Sequence, residues 1–361
     1  MSIKIIQIVP RLPPAIDGIG DYALQLACQL RHHFQIDTHF VVGDPRWQGN
    51  LEIEGFKISQ VSQCSPEAIQ YQLQSSTTTV LLHYVGYGYA QKGCPWWLIK
   101  GIRNWRQSYS QGKLITMFHE IAALGRPIWT SAFWLSGLQV FLAKSLVKIS
   151  DCLVTSKQSY AQMLQELSNH SHDNIPHLPV FSTVGELQQF LPLVQRQRRA
   201  VIFGGWANRQ RVYQQSSVQL TYACQRLNIE VIWDLGEVKG ELPQQVEGIP
   251  LVSLGRLSVE EISDILADSF LGFFDYNPAF LGKSTIFAAY CAHGVLPVAA
   301  YGTKNTIDGI NAGKHYWVAN PSTKQLSWEQ DWQGIANCAY AWYCTHDLFT
   351  QVKTFQSLLT Q

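Results

Sequence analysis

Charge is scarce in this sequence. Only 15% of its 361 residues are Asp, Glu, Lys or Arg, and 27 basic residues stand against 26 acidic ones. Such a balance gives no global field towards nucleic acid or an anionic membrane, so nucleic acid is not expected as a partner and any anion site must be built locally. The eight cysteines lie apart at 28, 64, 94, 152, 224, 291, 338 and 344, with no C-x-x-C pair, and Cys152 and Cys291 sit inside apolar segments. That pattern reads as reduced thiols of a cytoplasmic protein, not a disulfide framework. Neither H-x-x-H nor H-E-x-x-H occurs, and no D-x-D triplet closes a strand, so no metal site is expected. The missing G-x-S-x-G elbow removes the hydrolases built on it. Short repeats and low-complexity tracts are absent. No signal peptide is read at the amino terminus, where Lys4 leads straight into the strand-like run Ile5-Ile6-Gln7-Ile8-Val9.

Apolar residues, in contrast, make up 46% of the chain, enough for large cores, and the length exceeds what one core usually holds, so two domains are expected. The most apolar stretch, Ile128 to Val147, also carries Thr130, Ser131, Ser136, Gln139, Lys144 and Ser145. It is too polar for a comfortable membrane span and reads as a packed helix. Contact with a membrane surface or a lipid-linked acceptor is the alternative, which would place the chain peripherally at the inner membrane face.

Strand-like runs at Lys4–Val9, His39–Gly43, Thr79–Tyr84, Lys113–His119 and Cys152–Thr155 alternate with helical patterns such as Asp21–Leu30 and Pro66–Leu73. Alternation of this kind argues for βα units on a parallel sheet. The character changes near 182, and Arg196-Gln197-Arg198-Arg199 reads as the end of a linker. A second βα series follows, with strands at Ala200–Phe203, Glu230–Asp234, near Pro250–Leu254, Ser269–Tyr276 and Val295–Tyr301, and helices at Val259–Asp268 and Ser284–His293. The expected organisation is an α/β domain over 1–182, a linker over 183–199, a second α/β domain over 200–330 and helices over 331–361 packing back on the first domain. In the tail, Trp328, Trp332, Tyr340 and Trp342 recur at roughly helical spacing. Two such halves are expected to face a central cleft that takes the ligand.

The strongest local signal is Gly282-Lys283-Ser284-Thr285, between a strand and a helix that stops at Gly294. Unpaired N–H groups of the helix's first turn, two hydroxyls, one positive charge and a glycine suit a phosphate or diphosphate. A triphosphate-wrapping P-loop would need glycine at 277, where Asn277 stands. Gly204-Gly205, followed by Arg209 and Arg211, lies after the first strand of the second half, and arginine forks suit a diphosphate. In the first half, Gly18-x-Gly20-x-x-Ala23 matches the dinucleotide fingerprint formally, but the glycines fall too far past their strand. The better reading is a mobile loop and a helix start, with Gly20 allowing a ligand's approach and Asp21 either holding an acceptor hydroxyl or capping the helix. His119-Glu120 ends a middle strand, where His119 could bond a sugar hydroxyl or leaving oxygen and Glu120 could orient it. His83 and Tyr84 end the preceding strand and read as part of an aromatic acceptor wall, with Gly18 beside them.

These segments together resemble bacterial GT-B glycosyltransferases, specifically the large family 4 group. The resemblance runs from Gly18-Ile19-Gly20-Asp21-Tyr22-Ala23 through Phe118-His119-Glu120 and Phe203-Gly204-Gly205 to Ala292-His293-Gly294-Val295-Leu296-Pro297-Val298, the most specific part. It implies two Rossmann-like domains with parallel sheets facing a central cleft. It also implies transfer from a nucleotide diphosphate sugar, usually with retention, with no metal or other cofactor beyond that co-substrate, to a glycan, lipid-linked or small-molecule acceptor. On this reading His119, Glu120 and Asp21 are catalytic. Gly20, Gly204, Gly205, Arg209, Arg211, Gly282, Lys283, Ser284 and Thr285 bind the donor diphosphate, and Gly18, His83 and Tyr84 the acceptor. Leu281 and Ala289 stand where the family commonly carries two glutamates, one for the donor sugar and one for the ribose, and Gly205 stands where it carries an arginine. The missing glutamates motivate an alternative, a non-catalytic sugar-nucleotide or glycan-binding protein on the same fold.

Overall fold

A computed structural model describes residues 3–74, 79–123, 129–322 and 331–360. The chain divides into two compact units, Met1–Pro179 with Leu348–Gln361, and Val180–Asp347.

The first unit carries seven strands: β1 (Ile3–Val9), β2 (Ile36–Val42), β3 (Glu52–Ile53), β4 (Phe56–Gln60), β5 (Thr79–Tyr84), β6 (Lys113–Phe118) and β7 (Cys152–Thr155). Its helices are α1 (Gly18–Phe34), α2 (Pro66–Gln72), α3 (Gly86–Tyr89), α4 (Trp96–Ser108), α5 (Ser131–Val147) and α6 (Gln158–Leu167). The sheet order is β3-β4-β2-β1-β5-β6-β7, parallel throughout except for the β3–β4 hairpin. The apolar runs are strands because both faces of the sheet are covered. Tyr84, Trp105, Phe118 and Leu146 fill one face, and Val9, Ala23, Phe40 and Trp47 the other. Burying each large side chain contributes roughly 1.5–3 kcal/mol.

The second unit repeats the plan. Its strands are β8 (Gln197–Phe203), β9 (Val231–Leu235), β10 (Gln245–Val246), β11 (Ile249–Gly255), β12 (Ser269–Phe274), β13 (Leu296–Ala299) and β14 (Trp317–Val318). The order is β10-β11-β9-β8-β12-β13-β14, position for position that of the first sheet. Helices α7 (Trp206–Gln215), α8 (Ser217–Arg226), α9 (Val259–Ala267), α10 (Thr285–Ala292) and α11 (Trp332–Cys344) cover it. Each sheet ends in a two-residue Glu-Gly hairpin turn, Glu54–Gly55 and Glu247–Gly248, with positive φ at both residues, as turns matched to strand twist require. The short strands of these hairpins carry too little pattern to be read from sequence.

The last helix, α12 (Leu348–Thr360), belongs to the first unit, whereas α11 belongs to the second. Tyr22 Oη on α1 donates to Gln351 Oε1 on α12 at 2.6 Å. The expected tail of 331–361 is therefore split between the units. Trp328 lies outside the described residues.

The basic run expected to end a linker is not a linker. Gln197–Phe203 is strand β8, and Arg196 and Arg199 are buried. Arg196 donates to the carbonyls of Leu191 and His293 at 2.8 and 3.0 Å. Arg199 donates to Ser269 Oγ at 2.8 Å and lies over the Trp233 ring. Composition alone suggested a linker, but carbonyls and rings from both earlier and later in the chain enclose these guanidinium groups.

Candidate functional site

In each sheet the strand order reverses beside its first strand, between β1 and β5 and between β8 and β12. Loops at the carboxyl ends of such neighbouring strands diverge and leave a crevice where α/β folds bind ligands.

In the first unit this position holds a buried polar chain. Gln7 Nε2 on β1 donates to Thr38 Oγ1 on β2 at 3.2 Å. Its Oε1 then accepts from His83 Nε2–H at 2.9 Å. His83 is fully buried, and desolvation lowers its pKa to about 3, so the ring is neutral near pH 7. A neutral ring protonated on Nε2 has a bare Nδ1, which accepts from His119 Nε2–H at 3.1 Å. The chain fixes the proton of His119 on Nε2. Tyr22 sets its ring edge-on to both imidazoles, at centroid distances of 5.9 and 5.3 Å.

Glu120 follows, half-buried. Asp21, next to Tyr22, is half-buried in the first turn of α1, but the cap of this helix is Asp17, whose Oδ1 accepts from Ile19 N at 3.0 Å. Gly18 is exposed with open space around it. Gly20 has a different use from the expected one: a Cβ there would lie 2.2 Å from the Arg11 carbonyl oxygen. The close approach it permits is to the loop Pro10–Asp17, which Trp47 Nε1 also grips through the Leu12 carbonyl at 2.7 Å.

Tyr84 is a correction. Successive residues of a strand face opposite ways, so with His83 on the polar side, Tyr84 is fully buried against Phe118 at 5.2 Å. It belongs to the core and cannot line an acceptor wall.

In the second unit the crevice lies where β8 and β12 end, about 10 Å³ in volume, its lining including Phe203, Asn208, Arg209, Asp275, Ser284 and Ile286. That is room for about one water. Gly204 has φ +114° and a Cβ there would sit 2.5 Å from Ile286 Cδ1, so the strand end and the first turn of α10 meet here, and only glycine fits. Gly205 is exposed in open space before α7. Ser284 is the N-cap of α10, its Oγ accepting from Phe287 N at 3.2 Å, and Thr285 follows, half-buried. Lys283 is half-buried, with Nζ 5.9 Å from the Phe280 ring centroid. The space a Cβ would need at Gly282 is bounded by Asp308 Oδ2 at 3.1 Å, an acidic group 26 residues further along the chain that no local pattern places there.

The two arginines separate sharply. Arg209 is buried and paired with Asp234. Its Nε also donates to the Gly204 carbonyl at 2.9 Å and its Nη2 to the Glu237 carbonyl at 2.5 Å. Tyr213 Oη completes the cluster at 2.6 Å from Asp234 Oδ2. This guanidinium ties strand ends together, so Arg209 is corrected from a diphosphate ligand to a structural residue. Arg211 instead donates to Asn208 Oδ1 and to the Asp275 carbonyl at 2.9 and 3.0 Å, while its Nε is buried without a hydrogen-bond partner. Leu281 and Ala289, at the positions of the family's glutamates, are both buried. Sequence reading also missed Gln7, Asp17, Asp234 and Asp275. A polar Gln7 within an apolar strand was the one signal in plain view.

No family model matches the chain, and no curated protein matches it in sequence. Solved structures do match in fold. TarM aligns at TM-score 0.63 with 9% identity, over 100% of this chain and 99% of that one. An alpha-glucosyltransferase in complex with UDP-glucose and DNA containing an abasic site aligns at 0.60 with 10% identity, over 99% of both chains. The pneumococcal O-GlcNAc transferase GtfA, in complex with UDP and GlcNAc, aligns at 0.59 with 9% identity, again over 99% of both. The chain therefore has the GT-B glycosyltransferase fold, α/β with two mostly parallel seven-stranded sheets.

One expectation falls here. Nucleic acid was set aside as a partner on net charge, yet alpha-glucosyltransferases of this fold are found in complex with DNA. Net charge is a sum over the whole chain and says nothing of how its terms are distributed.

Proposed function

We propose that the chain is a glycosyltransferase that moves a hexose from a nucleotide diphosphate sugar to an acceptor hydroxyl, without a metal and with retention. The supporting fold is that of enzymes whose structures hold UDP, UDP-glucose or, in the catalytic domain of starch synthase IV, ADP and acarbose. The observation that carries the reading is local. At the β8–β12 switch point, Arg211 is held by Asn208 Oδ1 and the Asp275 carbonyl, two residues that line the crevice, and keeps a buried Nε without a hydrogen-bond partner.

In this reading the diphosphate lies against Gly204, Gly205, Gly282 and the first turn of α10. Arg211 and Lys283 oppose the charge that builds on the leaving oxygen, as Ser284 and Thr285 donate to it. His119, held by His83, is the catalytic group of the first unit, with Glu120 and Asp21 ordering the acceptor near Gly18. The family 4-like placement rests on the segment Ala292–Val298. All eight cysteines are free thiols, which supports a reducing, cytoplasmic setting.

The test is titration of UDP, GDP and ADP and their sugars against the melting temperature, with Arg211→Ala and Lys283→Ala alongside. One nucleotide should raise the melting temperature, and each variant should weaken it roughly tenfold. Undiminished affinity and turnover in both variants would refute the site.

A second reading, sugar-nucleotide binding without transfer, is favoured by one observation. The sites of the family's two glutamates are core positions, occupied by Leu281 and Ala289. Donor binding with no turnover on any acceptor would select it.

A further inference from the structure

Helix α5 is apolar on both sides. Its inner side, with Leu142, Ala143, Leu146 and Val147, is buried in the core of the first unit. Its outer side is not covered: Trp134 is 75% and Phe141 54% exposed, with Phe133 and Leu138 also exposed. Trp96 at the start of α4 stacks on Phe141, planes 8° apart, and Trp129 stands before the helix, 83% exposed. Exposed apolar residues are ordinary one at a time, but large ones on adjoining turns mark an interaction surface.

The charge around this face is mostly basic. Across residues 68–150, Glu120 is the sole acidic residue in the sequence, and Asp151, exposed three residues after Lys148, is paired with Arg106. Lys100 is exposed on α4 one turn after Trp96, and Lys92 is exposed in the loop whose carbonyl accepts from Gln139 of α5. Lys144 and Lys148 continue the Phe141 side of α5 past its carboxyl end, Lys148 exposed. Opposite charges elsewhere in the chain cancel these in the total, which is how a chain of net charge +1 conceals a basic surface.

We propose that the outer face of α5, with Trp96, Trp129 and the flanking lysines, docks on the surface of a bilayer containing anionic phospholipid. Tryptophan and phenylalanine on one helix face, with lysines beside them, match an interfacial helix lying in the headgroup plane. At 17 residues α5 is shorter than the roughly 20 needed to cross a bilayer, and no described helix is long and apolar enough to span one. A nucleic-acid surface would be more polar and more highly charged than this one. The proposal does not depend on the transfer reading.

The experiment is co-sedimentation of the full chain with vesicles of phosphatidylcholine, with and without phosphatidylglycerol, at low and high salt. Binding is expected only with phosphatidylglycerol, weakened by salt. It should fall roughly tenfold or more in Trp134→Ser with Phe141→Ser, and likewise in Lys144→Gln with Lys148→Gln, melting temperatures being unchanged. No binding to the anionic vesicles, or equal binding by the serine pair, overturns the proposal. It is equally overturned if the serine pair leaves vesicle binding intact while abolishing self-association in sedimentation velocity or binding of a single-stranded oligonucleotide.

Discussion

His83 Nδ1 lies 3.1 Å from His119 Nε2, and because Gln7 Oε1 accepts from the single N–H of neutral His83, the pair has one consistent direction. Replacing His119 with alanine should lower turnover about 100-fold or more. His83→Phe removes the acceptor for the His119 N–H and leaves Gln7 Oε1 without its donor. It should cost about 1–3 kcal/mol of stability and lower turnover without changing donor affinity. Steady-state kinetics beside a denaturant titration check both, and an unchanged kcat in His83→Phe would show that His119 does not need its orienting partner.

The buried histidines set the acid limit of stability. Desolvation lowers His83 and His346 to about 3 and His293 to about 4. A lowered folded pKa means the unfolded chain binds more protons between that value and about 6.5. Stability is thus complete above about 6.5 and is lost as pH falls towards 3–4. Each group contributes a slope of about 1.4 kcal/mol per pH unit. Melting followed from pH 7 to pH 4 should show this decline beginning above the carboxylate range, and His293→Gln should flatten it. A melting temperature constant down to pH 5 would contradict the assignment.

Arg209 and Arg211 should behave in opposite ways. Arg209→Met strands the buried Asp234 carboxylate and is expected to destabilise the protein by about 3–5 kcal/mol. Arg211→Ala should leave the melting temperature nearly unchanged and weaken nucleotide binding. Calorimetry of the two variants with and without nucleotide separates the roles. A stable Arg209→Met with lost affinity would return Arg209 to the donor site.

Gly20→Ala would push a Cβ to 2.2 Å from the Arg11 carbonyl oxygen. Backbone cannot yield as a side chain tip can, so a loss of about 1–3 kcal/mol is expected, by chemical denaturation. Gly205→Ala, in open space, should be nearly neutral for stability.

Much of the fold was legible because it is written in short-range pattern. β5 and β7 run over the very residues that their apolar runs marked, and β1 and β6 differ by one residue at an end. The hairpins were missed because β3 and β10 have two residues each. At the sites, residue type was visible but partnership was not. Gln7 lies 76 residues from His83, and Arg196 reaches a carbonyl 97 residues away, so a buried guanidinium looked like a linker charge. Gly20 and Gly282 announced close approach, but the atoms that approach them belong to Arg11 and Asp308, not to a ligand. Tyr84 was misplaced by treating neighbours on a strand as neighbours in space.

The central claim is that the diphosphate of a nucleotide sugar lies over the carboxyl ends of β8 and β12 in the second unit, against Gly204, Gly205 and the first turn of α10. Its most direct test is isothermal titration of wild-type protein and Arg211→Ala with UDP, GDP and ADP in the presence of EDTA. The account predicts saturable, metal-independent binding of one of the three, weakened roughly tenfold by the substitution at unchanged melting temperature. Binding that the Arg211 substitution leaves untouched, or no binding of any of the three, would contradict it.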